Sequence, residues 1–349
     1  MIVARVRAMK PQELAAAAFR LREIGILIAL VAVVIFFGVR ATNFLTVGNW
    51  QGIAQNVSIV AVVAVGETLV ILTRNIDLSV GSIVGLAGYL VAATLKSHHG
   101  IPVEVVALIS VGIGLCLGLV NGLLVAVARI PSIIATLATL AIFRGIDAEI
   151  TGGENITAYQ LPNRFLQLAS SKPLGFPALA WIAVGVAIVG AATLRWAPWA
   201  RDFYAIGSNP DAARFAGIPA GRRVITAFAL SGALAGLGGF LFASRFPTLD
   251  SSAANGFELT VITAVVIGGV NVFGGSGTIL GVMLGAVLVA TISNGFTLLR
   301  LDEFWKIFFN GFAIVAAVTI DALITKRLQE ALRRRRSALL VVPDTGTTP

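Results

Sequence analysis

Glu67 stands inside an apolar run, AVVAVGETLVILT. A carboxylate at that depth is costly unless it faces a wet cavity or a polar partner. Two roles fit it: lining or gating a path for a polar solute, or pairing with a nearby Arg or hydroxyl. Asp77 and Ser79 follow a polar Arg74-Asn75 pair. Asp77 is placed to cap the helix that follows, where free N–H groups need an acceptor, and this reading is favoured over a gating role. Asn56, Asn121 and Asn294 put amides in or near apolar segments. Amides suit the hydroxyls of a sugar, and they also serve as glue between helices. A proton relay would need further buried acids or histidines. His98 and His99 lie in a loop, and no second mid-span carboxylate accompanies Glu67. The chemistry on offer is therefore a path for a solute. The chain has no GxxxxGK[ST] phosphate loop, no HExxH, no Cys/His ligand cluster and no GxSxG elbow. No catalytic or metal-binding residue is assigned, and a nucleotide that drives this chain must bind another one.

The elements that position these groups must be membrane spans. The 349 residues are 57% hydrophobic and 12% charged, with mean hydropathy +0.91. Soluble domains carry roughly 25% charged residues. The predicted fold class is all-α, a polytopic membrane protein of about ten transmembrane helices. Ten apolar segments are predicted, near 24–40, 52–73, 77–95, 102–127, 131–150, 177–195, 224–245, 259–273, 278–299 and 304–324. The eighth is short and Gly-rich, and Arg144 and Asp147 stand near one end of the fifth. Residues 1–23 read as a cytoplasmic tail, 24–325 as the transmembrane domain, and 326–349 as a basic tail with disorder after about Ser337. No small-x-small cleavage site follows the first apolar run, so it reads as an uncleaved span. Cys116 is the one cysteine, which excludes an internal disulfide and reads as a small core residue.

Net charge +9 and a pI near 10.6 would suggest nucleic acid in a soluble protein. A positive-inside bias explains them better, and no nucleic-acid partner is expected. With the N-terminus inside, 18 of the 26 Lys and Arg fall on the cytoplasmic side. Both termini are then cytoplasmic, and the four arginines at 333–336 touch anionic lipid. The longest outside loop, 151–176, could meet an extracytoplasmic partner or be simply solvated. Spaced glycines, among them Gly66, Gly81, Gly85, Gly88, Gly232, Gly236, Gly238 and Gly239, read chiefly as close helix packing. The N–H groups of the turn FGGSG at 273–277 could face an anion, but the turn reads better as a plain reversal.

Residues 201–217, RDFYAIGSNPDAARFAG, form a polar insert between two spans on the cytoplasmic side. Asn209 is a good N-cap, Pro210 suits the first helical position, and Asp211 meets the free N–H groups of the first turn. Gly217 can take the left-handed conformation that ends a helix. A helix of about two turns is unstable alone. A cytoplasmic partner protein is expected to hold it.

Four segments then matter together: GETLVILTRNIDLSVGSIVGLAG at 66–88, NGLLVAVARIPSIIATLATLAIFRG at 121–145, the insert with SGALAGLGGFLFAS at 231–244, and FELTVITAVVIGGVNVFGGSGTILGVML at 257–284. Over roughly residues 50–325 they resemble the permease subunits of ABC importers for ribose and similar monosaccharides. TRNID, the TGG after the fifth span, and LLRL followed by Trp305 are most similar to autoinducer import permeases, with rhamnose permeases second. The resemblance implies a bacterial inner-membrane location and a two-permease core, of identical or different chains. It also implies a pair of ATPase subunits that hold ATP and Mg, and an extracytoplasmic solute-binding protein. Asn209, Pro210, Ala213, Arg214 and Gly217 then match the coupling helix that docks in the ATPase. Asp77, Ser79 and Gly81 belong to the motif itself, while Glu67, Asn121 and Asn56 are the expected path residues. Three rivals remain: an ion-coupled secondary transporter, a permease for branched-chain amino acids, and a membrane-embedded enzyme or scaffold.

Overall fold

A computed structural model describes residues 11–246, 248–319 and 322, with only the backbone for 11–22. The basic groups at 5, 7 and 10 and the whole tail from 326 lie outside the described residues. The described residues are mostly helical. In order the helices are α1 (Pro11–Arg40), α2 (Val47–Leu72), α3 (Val80–Ser97), α4 (Val103–Ala126), α5 (Ser132–Thr151), α6 (Asn163–Ser170), α7 (Ala178–Trp196), α8 (Pro198–Ser208), α9 (Pro210–Phe215), α10 (Ala220–Arg245), α11 (Phe257–Ile267) and α12 (Ile279–Leu298). A further helical stretch runs over 303–319. Seven of the described helices are long and apolar enough to cross a membrane: α1 from Glu23, α2, α3, α4, α7, α10 and α12. α5 has the length, but it carries Arg144, Asp147 and Glu149 in its last turns.

Local chemistry sets the helix ends. Thr46 caps α2 by accepting from Asn49 N, and Thr278 caps α12 by accepting from Gly281 N at 3.0 Å. Pro102, Pro131 and Pro177 stand immediately before α4, α5 and α7 with extended ψ near 139°, 132° and 135°, and each biases the residue ahead of it away from the helical region. α2 is buried without a break from Ser58 to Leu72. A helix apolar all round belongs in the centre of a bundle, and this one is there.

α10 is the other central helix, packed on α2, α3 and α4. Its contact with α4 is made by glycines on both sides. A methyl on Gly114 or Gly118 would run into the backbone of Gly232 or Gly236, and the reverse also holds. Gly66 likewise lies on Ser231, and Gly88 on Gly239. The packing role expected of the spaced glycines is what the structure displays.

Three expectations are corrected. The eighth predicted span, 259–273, is not a span. α11 has 11 residues, about 16 Å at 1.5 Å per residue, against a hydrocarbon core near 30 Å. Gly268 and Gly269 end it, and Gly269 takes φ +93°. Loop 151–176 is not simply solvated. It pairs a two-residue strand β1 (Ile156–Thr157) with β2 (Thr248–Leu249), Ile156 opposite Leu249, and lays α6 on the bundle by burying Phe165 and Ala169. Sequence reading missed it because a two-residue strand has no periodicity to detect. Cys116 is exposed on α4 and not in the core. Inside a long apolar helix, an outward face that meets lipid reads the same as an inward one.

Candidate functional site

One cavity of about 720 Å³ opens among α2, α10, α11, α12 and the last helical stretch. That volume suits small-molecule sites, which run to roughly 300–1,000 Å³. Its lining mixes apolar side chains with neutral polar ones: Asn56, Ser252, Thr260, Asn294, Thr297 and Asn310. The charges on it are few. Lys306 and Glu303 pair with each other at 2.6 Å, and Asp250 accepts from Ser252 N and Oγ at 2.8 and 2.6 Å.

One wall is irregular backbone. After β2 the chain turns inward through 250–256 and only then enters α11. Ala253 lies against Gly85, and Glu258 against Gly81. Gly85 is roughly 18 Å along α3 from Ser97, so this backbone sits well inside the bundle. Non-helical backbone is tolerated at such depth only where protein covers it or a wet cavity lies beside it. Here both conditions hold. Ala254 and Gly256 take the left-handed conformation, at φ +55° and +74°.

Of the three expected path residues, Asn56 lines this cavity, and its Oδ1 is buried without a partner among the described residues. Asn294 and Asn310, also in the lining, are already engaged. Asn294 exchanges hydrogen bonds with Asn49 across α2 and α12 at 2.9 and 3.1 Å, and Asn310 donates to Thr260 at 2.9 Å.

Glu67 and Asn121 are not among the lining residues. They serve the α2–α3 turn. Glu67 Oε1 accepts from Asp77 N at 3.0 Å, and Asp77 Oδ1 accepts from Ser79 N and Oγ at 2.9 and 2.7 Å. Asn121 Nδ2 donates to Ser79 Oγ at 2.7 Å from α4. All four are fully buried. Asp77 thus holds the start of α3, and the partner of Glu67 is a backbone N–H, not an Arg or a hydroxyl. Gly81, the third motif residue, lets Glu258 approach.

The insert folds as two helices, α8 and α9. Asn209 caps α9 by accepting from Ala212 N at 3.0 Å, with Pro210 at its first position. Gly217, at φ +77°, ends it by donating to Arg214 O at 3.0 Å. Ala213 is 3% exposed, whereas Phe215 is 93% exposed. Ala213 therefore faces this chain, and the outward apolar group of α9 is Phe215, which sequence reading passed over. Arg214 is exposed. Two clamps fix the insert. Arg223 on α10 pairs with Asp202 on α8 at 2.7 Å, and Arg74 donates to Gly207 O and Ser208 O at 2.5 and 3.1 Å. The 273–277 turn joins this second clamp, because Gly275 N donates to Leu72 O at 3.1 Å. A methyl on Gly207 would strike both Leu72 O and Gly275 N.

Residues 49–318 match the family model described as "Branched-chain amino acid transport system / permease component". Among curated proteins, the Autoinducer 2 import system permease protein LsrC of Salmonella typhi is 36% identical over 324 residues, covering 93% of this chain and 92% of that one. The protein of the same name from Escherichia coli (strain K12 / DH10B) is 36% identical over 328 residues, covering 94% and 95%. No solved structure matches the chain significantly. With its family model spanning 49–318 and relatives aligned over nearly the whole length, the chain belongs to this family of ABC transport permeases.

Proposed function

We propose that this permease carries a small polyhydroxylated solute, of the autoinducer 2, rhamnose or ribose type, inward across a bacterial inner membrane. The observation that carries the reading is the cavity. Its interior polar groups are amides and hydroxyls, and its charges are paired or bonded within the chain. Neutral donors and acceptors match sugar hydroxyls and leave no buried charge uncompensated. The relatives named for autoinducer 2 import support the same class.

The energy comes from outside this chain. Separate ATPase subunits bind ATP and Mg and dock on α9 through Phe215 and its exposed neighbours. An extracytoplasmic solute-binding protein delivers the solute at the β1/β2 end. A second permease, identical or different, completes the core, and lipid surrounds the exposed apolar faces. Both termini lie in the cytoplasm, on the side of α9. ATP binding closes the ATPases and moves α9, and the spans then expose the cavity to one side or the other in turn. Only coupling to the ATP cycle makes that exchange directional.

A second reading has one observation in its favour. Lys306, Glu303 and Asp250 would suit the ends of a zwitterion, which fits the amino-acid permeases of the same family. One experiment separates the two. The complex is purified with its partners, and its binding protein is titrated by calorimetry with autoinducer 2, rhamnose, ribose and leucine. Uptake of the tightest ligand is then measured in vesicles with and without ATP. Heat from a sugar-like ligand and ATP-dependent uptake are expected. Heat from leucine alone overturns the substrate class, and uptake without ATP overturns the energy source.

A further inference from the structure

We propose that Arg144 is a positioning residue for transport: it props the irregular cavity wall from behind, through the gap left by Gly85, and must release it for solute to pass. This rests on the reading that the cavity is the solute path.

The wall satisfies part of its own backbone. Ala253 N donates to Asp250 O, Asn255 N to Ser252 O, and Phe257 N to Ala254 O, at 3.0, 3.0 and 3.2 Å. Arg144 adds a bond at Ala253 O and a second one at Ala254 O. Nη1 donates to Ala253 O at 2.5 Å and Nη2 to Ala254 O at 2.7 Å. Ala253 and Ala254 line the cavity and Arg144 does not, so the guanidinium stands on the far side of the wall. It reaches there from α5 past α3. A methyl on Gly85 would lie 2.6 Å from Ala253 O and 2.8 Å from Arg144 Nη1, so only glycine leaves that window open.

The charge balance is unusual. Arg144 is half-buried with two carboxylates near it, Glu258 and Asp147, and a guanidinium so placed is expected to bond one of them. Arg144 instead spends its donors on two carbonyls. Asp147, three residues along the same helix, is fully buried with both carboxylate oxygens lacking a partner among the described residues. The wall occupies the donors that Asp147 would take. When the wall moves away, Arg144 loses two carbonyl acceptors, and Asp147 offers replacements on the same helix. Holding and releasing the wall then differ by an exchange of acceptors, which keeps the guanidinium bonded in both states. A group with two sets of partners suits a part that shifts once per transport cycle.

The test uses the assembled complex in proteoliposomes, with Cys116→Ala removing the native thiol and Asn255→Cys placing one on the wall. A membrane-impermeant maleimide reports access to the cavity. In Arg144→Gln the labelling rate is expected to change by about tenfold or more, the scale of a lost charge-assisted hydrogen bond, and uptake per ATP hydrolysed to fall comparably. Arg144→Lys restores a donor and should recover part of both. Gly85→Ala closes the window and should reproduce the defect. Asp147→Asn should leave resting labelling unchanged and lower uptake per ATP.

Wild-type labelling and wild-type uptake per ATP in Arg144→Gln would overturn the proposal, as would a Lys variant no better than the Gln one. If Arg144→Gln does not assemble, Gly85→Ala decides by the same two readouts. Unaltered uptake in Asp147→Asn removes the exchange of acceptors. The path reading fails separately: saturating autoinducer 2, ribose or rhamnose would then leave Asn255→Cys labelling unchanged while the Arg144 variants still respond.

Discussion

Four buried polar side chains, Glu67, Asp77, Ser79 and Asn121, each hydrogen-bond within one turn, whereas Asn56 faces the cavity with no hydrogen-bond partner among the described residues. The two situations predict opposite phenotypes. Asn121→Ala strips a donor from Ser79 and should cost about 1–3 kcal/mol of stability, read as a lower melting temperature of the purified permease, with the KM for uptake unchanged. Glu67→Gln keeps an oxygen for Asp77 N and should transport normally, whereas Glu67→Ala leaves that N–H unpaired and should be destabilised on the same scale. Asn56→Ala should behave the other way. The melting temperature stays, because its Oδ1 has no partner to lose among the described residues, and KM rises by about three- to tenfold for one neutral hydrogen bond to solute. A raised KM in Asn121→Ala with normal melting would return that residue to the path. Glu67, Asn121 and Asn56 were legible as out-of-place polar residues in or near apolar runs, and Asp77 and Ser79 as residues that follow a polar pair. Their assignment was not, because a sequence gives the depth of a side chain along a helix and not the direction in which it points.

At the scale of elements, α9 is a short helix held at its base and bare on its outer face. Ala213 is packed against its own chain, so Ala213→Asp buries a charge inside the permease and should lower its melting temperature before it touches any partner. Phe215→Ser is the cleaner probe of docking. It should leave the melting temperature unchanged and reduce the ATPase recovered with the tagged permease, since exposed aromatics are common anchors at interfaces. Undiminished recovery would mean that α9 docks by other residues. The clamp behind it carries a different consequence. Arg74 joins the residues just before α9 to the end of α2, whose other half lines the cavity. Arg74→Gln should therefore keep ATPase recovery and lose uptake per ATP hydrolysed, a split that Phe215→Ser does not give. The capped helix could be read from Asn209, Pro210 and Gly217 because capping is local chemistry. The clamp could not, because Arg74, Gly207 and Gly275 are distant in sequence and meet only through the fold.

For the whole molecule, the proposed coupling needs a route by which a push on α9 reaches the cavity, and the arrangement of the spans offers one. α10 starts at the insert, runs about 39 Å at 1.5 Å per residue, and ends where the chain enters β2 and the cavity wall. A lever of that length works only if it does not bend or slide. Its glycine contact with α4, reinforced by Ser110 Oγ donating to Gly236 O at 2.6 Å, brings two backbones close enough to move as one body. The spacing of the glycines announced close packing, and the class of the fold followed from hydropathy alone. Which helices the glycines join did not, because each glycine stripe is compatible with any neighbour of the right size. The segment after the wall, 259–273, was read as a continuous span for a related reason: α11 and the turn after it form one apolar run, and the break at Gly268 and Gly269 ends the helix after 11 residues. The glycine contact gives a sharp expectation. Gly118→Ala inserts a methyl against Phe228 O and the Gly232 backbone, and overpacking of this kind costs about 1–3 kcal/mol. Gly112→Ala, on the same helix, meets nothing within 4 Å. Melting followed by size-exclusion recovery should separate the two, with Gly118→Ala lower and Gly112→Ala at the wild-type value. Uptake per ATP should fall only in the former. If Gly118→Ala melts and transports like the wild type, the two helices do not need that approach, and α10 cannot be the rigid arm between the insert and the wall.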